Sequence, residues 1–195
     1  MTTDHDILAN IRRYVSLTDE EEAAFRGIVR TSRVRRRQYL VQPGFVCTHQ
    51  TYVQQGAFRS YFVTGEGAEH TVQFAVEDWF ISNFNSYISR QPASLFVEAL
   101  EDGMVQQIAN EDTEAICTNY PVFERFFRLV AQKSFAFSQR RTLSNLGKNA
   151  EERYLEFLQL YPGIAQRVPQ YALASYLGMS AEFLSKIRKQ LAGRS

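Results

Sequence analysis

Hydrophobic positions follow two different periods along this chain. Between Thr31 and about Ile108, apolar and polar residues alternate in short runs that are rich in β-branched and aromatic side chains. A period of two is typical of β-strands that are buried on one face. The runs are separated by turn-forming sequences, namely Pro43-Gly44, Gly56, Gly65-Glu66-Gly67 and Asp102-Gly103. This spacing predicts short antiparallel strands that form a sandwich or a jelly-roll barrel.

Two short helices are predicted ahead of the strands. Apolar residues recur at helical spacing in the segment 4–15. Thr18 is followed three residues later by Glu21, which is the spacing of a capping box, and apolar residues continue at helical spacing over 25–29.

A longer helical pattern begins at Tyr120-Pro121 and continues to about Leu146. A helix of ~25 residues at ~1.5 Å per residue is close to ~40 Å long, which is more than a small barrel can cover. We therefore expect part of it to meet a second copy of the chain, although the same stripe could instead pack on the chain's own sheet. The expected dimer-facing residues recur at steps of three and four: Phe123, Phe127, Val130, Ser134, Phe137 and Arg141.

A further helix, capped by Asn149 and closed by Pro162-Gly163, leads to the C-terminal segment 169–191. There Gly178 interrupts the helical period, so the segment is predicted to fold as two short helices, 170–177 and a second one, around a tight turn. Ser180 can cap the second helix, because its hydroxyl can accept a hydrogen bond from a free backbone N–H. This arrangement is a helix-turn-helix.

The second helix of this pair is predicted to expose cationic and hydrogen-bonding side chains. Such a helix fits a DNA major groove, where side chains meet base edges and phosphates. The alternatives are an ordinary helical hairpin with a solvated face and a ligand- or protein-binding module whose helix pair docks a protein partner. The predicted DNA-binding residues are Tyr171, Ser180, Ala181, Glu182, Ser185, Lys186, Arg188 and Lys189.

Charge is distributed unevenly along the chain. Residues 1–120 carry 10 Lys and Arg against 16 Asp and Glu, a net charge of −6, whereas residues 121–195 carry 12 against 5, a net charge of +7. The positive field is therefore concentrated around the helix pair, as contact with a phosphate backbone requires. The basic run Arg33, Arg35, Arg36 and Arg37 is interpreted differently: alternation would put Arg33, Arg35 and Arg37 on one side of a strand, as a solvated edge.

Several other classes of function are disfavoured. Cys47 and Cys117 are isolated and the three histidines are far apart in sequence, so neither a metal site nor a metal-dependent jelly-roll enzyme is expected, and no cofactor is predicted. The two cysteines are expected to be buried thiols, and a disulfide between them is the alternative. No apolar run approaches the ~20 residues of a membrane span and the N-terminus lacks a signal-peptide pattern, so a cytoplasmic location is predicted.

The order of helical leader, antiparallel barrel, long helix and helix-turn-helix resembles the Crp/Fnr family of bacterial transcription regulators. From Asn149 onward the sequence NAEERYLEFLQLYPGIAQRVPQYALASYLGMSAEFLSKIRKQL is similar to the DNA-binding segment of a Bacteroidetes-type branch. The resemblance implies an α+β fold: a cyclic-nucleotide-binding-like jelly-roll domain with N-terminal helices over 1–119, a dimerisation helix over 120–148 and a helix-turn-helix domain over 149–195. It further implies a homodimer that binds double-stranded DNA at a palindromic operator, with RNA polymerase as a candidate partner.

The resemblance also locates an effector site, from which this sequence departs. Cyclic-nucleotide binders of the family use a Gly-Glu pair and, about ten residues later, Arg-Ser; here Ser82-Asn83 and Ala93-Ser94 stand in those places. Without that arginine a buried phosphate lacks its charge partner, so cyclic AMP is not the expected ligand. Any unknown small-molecule effector is expected near Phe74, Trp79, Phe80, Ser82, Asn83, Arg90 and Ser94. Ala181 likewise stands where the cyclic-AMP branch has an arginine that reads guanine.

Overall fold

A computed structural model describes residues 5–193, so the ends of the predicted first and third domains, 1–4 and 194–195, lie outside the described residues. The strands of this part of the chain are β1 Arg30–Val34, β2 Tyr39–Val41, β3 His49–Gln55, β4 Phe58–Val63, β5 Glu69–Ala75, β6 Phe80–Ile81, β7 Phe96–Ala99 and β8 Gly103–Ala109. Its helices are α1 Ile7–Ile11, α2 Asp19–Ile28, α3 Phe84–Ser89, α4 Asn110–Asn119, α5 Pro121–Gly147, α6 Ala150–Leu160, α7 Pro162–Arg167, α8 Gln170–Tyr176 and α9 Ala181–Ala192.

The strands form two four-stranded antiparallel sheets. One sheet has the order β1-β8-β3-β6 and the other the order β2-β7-β4-β5, so β5 lies at an edge. Alternate residues of both sheets meet in one buried cluster between them, made of Val34, Val53, Phe58, Ala75, Ile81, Val97, Ala99 and Val105. The predicted antiparallel jelly-roll architecture is confirmed, and the fold class is α+β.

A second core joins the outer face of the first sheet to the helices around it. Tyr52 and Ile108 point from β3 and β8 into a cluster with α1, α2, α4 and the first turns of α5. Within that cluster the rings of Phe25 and Phe123 stack with centroids 4.9 Å apart. The capping box of α2 is present as predicted, since the Thr18 side chain accepts from the backbone N–H of Glu21.

The basic run is not one strand, contrary to the prediction. β1 ends at Val34 and β2 begins at Tyr39, and between them the backbone N–H of Gln38 donates to the carbonyl of Arg35 at 3.0 Å. Arg37 has a φ of +68°, in the left-handed region. The reason lies in the topology: β1 pairs with β8 in one sheet and β2 with β7 in the other, so the chain must turn between them.

Two short helices were not predicted. α3 is capped by Asn83, whose side chain accepts from the backbone N–H of Ser86 at 3.1 Å. Pro162-Gly163 starts α7 instead of closing α6, which has already ended at Leu160. Proline is favoured at this position because the first N–H groups of a helix have no partner inside it.

The remaining predictions about chemistry concern the cysteines, metals and membranes. Cys47 is buried and Cys117 half-buried, and both thiols are free. Burial raises the pKa of each thiol, that of Cys117 to about 11. Within residues 5–193 no group of three or more His, Cys, Asp and Glu could hold a metal ion, and no helix has both the length and the apolar character of a membrane span.

Candidate nucleic-acid interface

The helix-turn-helix forms as the sequence indicates. Gly178, at a φ of +68°, makes the turn between α8 and α9 in a backbone conformation that suits glycine. Ser180 caps α9 by accepting from the backbone N–H of Phe183 at 3.2 Å. Leu184 and Ile187 are buried in the same cluster as Leu173 of α8, which fixes the angle between the two helices.

The opposite face of α9 is open to solvent. Of the predicted contact residues on or beside α9, Ala181 and Ser185 are half-buried and the others are exposed: Ser180, Glu182, Lys186, Arg188 and Lys189. Phe183 is also 46% exposed on this helix, and the sequence analysis did not select it. Sequence spacing gave no signal for Phe183, because successive residues of a helix point ~100° apart. The structure thus presents a mainly cationic face that carries one carboxylate and one aromatic ring.

Glu182 is held in its charged form at the start of α9. Hydrogen bonds from its own backbone N–H and from Ser180 keep the pKa of this carboxyl below its ordinary value. An ionised carboxylate only accepts hydrogen bonds, so at neutral pH Glu182 can receive one from a cytosine amino group but not from a phosphate.

Tyr171 lies apart from this face, because it contacts the barrel. Its ring centroid is 5.1 Å from the guanidinium carbon of Arg59, which is itself 4.0 Å from the ring of Tyr61. Arg59 is almost fully buried and is paired with Glu98 at 2.8 Å and Glu69 at 2.8 Å. Cation–π attraction therefore directs Tyr171 towards the barrel, although half of its surface remains exposed.

Helix α8 docks on the free edge of the second sheet. The hydroxyl of Ser175 accepts from the backbone N–H of Thr71 at 2.8 Å and donates to the carbonyl of Glu69 at 2.7 Å. These are backbone groups of β5 that point away from β4. One side chain of α8 therefore satisfies two backbone groups of an edge strand.

An ionic cluster holds the same two parts of the chain together nearby. Arg167, at the end of α7, donates to both carboxylate oxygens of Glu77 at 2.6 and 2.9 Å and also to Glu101. Burial alone would raise the pKa of Glu77, but hydrogen bonds from Arg167 and from the backbone of Gly56 hold it below its ordinary value. The helix-turn-helix domain is thus fixed to the barrel by charge as well as by packing.

Arg141 of the long helix contributes a third connection. In the pairing of β4 with β5, Ser60 lies opposite Gln73 and Tyr61 lies opposite Thr71. Val72 therefore has no partner in β4 and is the extra residue of a β-bulge. Arg141 donates to the carbonyls of Val72 and Thr71 from β5 and to that of Tyr176 from α8. It joins the barrel, α5 and α8.

The residues expected to face a second copy are therefore corrected in part. Phe123 is fully buried against Phe25 of its own subunit, Phe137 packs against Trp79, and Arg141 makes the intramolecular bonds just described. Of the others in that set, Phe127 and Val130 are half-buried beside the second core and Ser134 is exposed. The predicted stripe contains apolar residues because the first half of α5 packs on the helices around the barrel of its own subunit.

A different stripe of α5 is open. Phe135 is 66% exposed and Leu146 is 82% exposed, and both lie on one side of the helix, about a third of a turn from the predicted stripe. The residues on this open side recur at steps of four and three, as in a coiled-coil seam: Ala131, Phe135, Ser138, Thr142 and Leu146.

Several solved structures share this overall arrangement. The c-di-GMP responsive global regulator CLP of Xanthomonas campestris superposes with a TM-score of 0.73 at 14% identity, covering 91% of this chain and 93% of its own. FixK2 of Bradyrhizobium japonicum does so with a TM-score of 0.74 at 18% identity, covering 86% of each chain. A proposed transcriptional regulator of the Crp/Fnr family from Eubacterium rectale has a TM-score of 0.72 at 16% identity, covering 98% of this chain and 89% of its own.

This chain has the Crp/Fnr fold. No protein-family model matches the sequence, and no curated protein matches it either. The likeness to these solved structures therefore rests on the three-dimensional arrangement, at 14–18% sequence identity.

The segment in which the sequence resemblance placed an effector site is closed by its own hydrogen bonds. Asn83 is buried, caps α3 and donates to Ser94 at 3.4 Å. Ser82 donates to the carbonyl of Ile81 at 2.8 Å, and Arg90 donates to the side chain of Asn110. The polar part of the predicted pocket is thus engaged with the protein itself.

The aromatic residues of the predicted pocket lie elsewhere in the barrel. The ring of Phe74 is 5.2 Å from that of Tyr176 in α8, and Phe80 packs on the second core. Trp79 lies 5.8 Å from both Phe137 and Tyr161, at the junction of the barrel with the helices. The seven predicted pocket residues are therefore spread over three places and do not form one site.

A cavity does open in the barrel, but it is lined by other residues. It has a volume of about 470 Å³ and lies between β2, the loop that follows it, and the inner face of β3. Tyr39, Phe45, His49 and Gln107 are among its walls. Burial and the nearby charge of Arg30 lower the pKa of His49, so its imidazole is neutral at neutral pH. Sequence alone gave no signal for this cavity, because strand pairing creates it.

Proposed function

We propose that this chain is a dimeric, sequence-specific DNA-binding regulator of transcription of the Crp/Fnr type. The observation that carries the proposal is the capped, solvent-exposed α9, whose open face has Lys186, Arg188 and Lys189 and whose buried face is fixed by α8. A helix supported in this way can enter a major groove without rearranging its own domain. The net charge of +7 over residues 121–195 supplies the attraction to phosphates.

The direct test is selection of bound fragments from randomised duplex DNA, followed by titration of the selected site. We expect an imperfect palindrome with half-sites about 34 Å apart, because a dimer presents two recognition helices. Lys186→Ala should weaken binding to that site by ~1–3 kcal/mol if Lys186 reads a base. Arg128 is exposed on α5, away from α9, so Arg128→Gln is the matched control and should leave the affinity for DNA unchanged.

Salt dependence separates this function from docking of a protein partner. Phosphate contacts release counterions, so the logarithm of the affinity for DNA should fall linearly with the logarithm of salt concentration. A capture experiment that yields no duplex, or binding that stays flat with salt, would instead favour a protein-docking role for the helix pair.

The dimer is proposed to form along the open stripe of α5. Phe135, Thr142 and Leu146 follow the spacing of a two-stranded seam, and two of them are large apolar side chains exposed in the single chain. Burial of such side chains stabilises association by ~1.5–3 kcal/mol for each fully buried one. The axis of the dimer would then run along α5 and set the separation of the two copies of α9.

The barrel is proposed not to respond to cyclic AMP. Ser82-Asn83 and Ala93-Ser94 offer no cation for a cyclic phosphate, and Asn83 and Ala93 are both buried. Calorimetric titration with cyclic AMP should give no saturable heat, and binding in the micromolar range would contradict the proposal. An unidentified small-molecule effector and RNA polymerase remain candidate partners, and the proposed location is the cytoplasm. No enzymatic role is proposed.

A further inference from the structure

A small cleft opens where the long helix meets the helix-turn-helix domain. It lies between the last turns of α5, the middle of α6 and the end of α8, and has a volume of about 40 Å³. Arg140, Arg141 and Arg153 all line it, and one carboxylate, Glu156, lines it with them. Three arginines against one glutamate leave two positive charges uncompensated among the lining residues.

The single carboxylate is already in use. Glu156 accepts from Lys148 at 2.7 Å and from the hydroxyl of Ser144. These hydrogen bonds outweigh a small effect of burial and keep the pKa of Glu156 below its ordinary value, so it is ionised but directed towards Lys148. Among residues 5–193, Arg141 and Arg153 form no ion pair with a carboxylate, whereas the charge of Arg140 acts on Glu156 and helps to lower its pKa.

Two of the three guanidinium groups, those of Arg141 and Arg153, are held by neutral acceptors. Arg153 donates to the carbonyls of Lys148 and Leu177, and Arg141 to three carbonyls while lying 4.2 Å from the centroid of the Tyr176 ring. The Nε of Arg141 is buried and has no hydrogen-bond partner among the described residues. Burial lowers the pKa of Arg141. Removing a cation from water without an anion beside it is unfavourable, so this arrangement is more stable with an anion present.

Size and shape define which anion fits. A cavity needs roughly 10–15 Å³ to hold one water molecule, so the cleft of about 40 Å³ has room for about three, which suits a small anion and excludes a larger ligand. The planar guanidinium donates two parallel hydrogen bonds to such oxygens. We propose that the cleft between α5, α6 and α8 binds a phosphate-type oxyanion, held by Arg140, Arg141 and Arg153, with Asn145 at its rim.

The position of this site gives binding a mechanical consequence. Arg153 holds the carbonyl of Leu177, the residue before the Gly178 turn, and Arg141 holds both β5 and α8. An anion that pulls the two guanidinium groups together would tighten α8 against α5 and the barrel. If the proposed DNA-binding function holds, phosphate would therefore bias the orientation of the recognition helix; binding of the anion itself does not depend on that function.

The test uses the whole chain, without DNA, titrated with inorganic phosphate at constant ionic strength made up with chloride. We expect saturable binding by calorimetry and a melting temperature that rises with phosphate. Arg140→Gln, an exposed lining residue, should weaken phosphate binding by about tenfold, and Arg140→Gln with Asn145→Ala by more. Arg128→Gln, also exposed on α5 but outside the cleft, should bind phosphate as the parent does. Far-UV circular dichroism checks that each variant is folded.

Three results would overturn the site: no saturable binding by the parent chain, equal binding by Arg140→Gln and the parent, or an equal loss in Arg128→Gln. A second measurement identifies the source of the anion. In chloride buffer without phosphate, the Arg140→Gln variant should bind the selected DNA as the parent does. If this variant binds phosphate normally but loses DNA affinity, the cleft contacts the DNA backbone and the proposed free-anion site is wrong. If the parent and every variant fail to bind DNA but phosphate binding is intact, the proposed DNA-binding function is refuted and the proposed phosphate site stands.

Discussion

The ionic cluster of Arg167 gives the most direct test of how the helix-turn-helix domain is held to the barrel. Arg167→Gln removes one cation that serves Glu77 through two hydrogen bonds and Glu101 through another. Charge-assisted hydrogen bonds contribute ~1.5–3 kcal/mol when they are buried. The Arg167 side chain is 32% exposed and that of Glu101 is 36% exposed, so solvent screening reduces the sum, and we expect a loss of about 1–3 kcal/mol.

The assay is thermal unfolding at neutral pH and again near pH 4. For a chain of this size 1 kcal/mol corresponds to ~2–4 °C, so a loss of about 1–3 kcal/mol should lower the melting temperature by roughly 2–12 °C at neutral pH. The pKa of Glu77 is lowered in the folded chain, so its contribution is present above the ordinary glutamate pKa and is lost as pH falls through the folded value. The difference between the parent and Arg167→Gln should therefore shrink in acid.

Arg12→Gln is the matched control, because Arg12 forms a charge pair with Glu22 on the surface, where the Arg12 side chain is 49% exposed, away from the domain junction. It should shift the melting temperature by less than Arg167→Gln. A difference for Arg167→Gln that is the same at both pH values, or no larger than the control, would show that the cluster does not hold the domains together.

Three further predictions concern the long helix and the cap of α9. Leu146→Glu should convert the proposed dimer to a monomer in sedimentation velocity, because it places a charge in the proposed seam; an unchanged sedimentation coefficient would exclude that seam. Phe123→Ala should instead destabilise each subunit by ~3–5 kcal/mol in urea unfolding, since Phe123 is fully buried; a folded, fully stable monomer would contradict its place in the core. Ser180→Ala should lower the free energy of unfolding by ~1 kcal/mol, and Ser180→Gly by less, because Ser180 caps α9. Equal stability of Ser180→Ala and the parent would show that the cap does not stabilise the fold.

The elements that depend on local sequence could be predicted, and their reasons are visible in the structure. Thr18 and Asn149 cap their helices by the reciprocal hydrogen bonds that their spacing indicates. Gly178 and Ser180 define the helix-turn-helix because one residue needs a left-handed conformation and the other accepts a backbone hydrogen bond. The alternation in the barrel reports burial on one face, which is also a local property.

Features that depend on the partner of a segment could not be predicted. Arg35 to Arg37 form a turn because the strands on either side belong to different sheets, which the alternation of the run cannot reveal. Arg141 stands at the right step for a dimer stripe, but a bulge in β5 some 70 residues away takes up its hydrogen bonds. The candidate pocket failed for the same reason, since Phe74 and Trp79 pack outward on helices.

Docking of α8 has a consequence for the solubility of the chain. β5 is an edge strand, and an uncovered edge offers free backbone groups on which another chain can add a strand and begin to aggregate. Ser175 and Arg141 occupy three of those groups on Glu69 and Thr71. A helix-turn-helix domain that moved away from the barrel would uncover these groups and expose an edge on which another chain could add a strand.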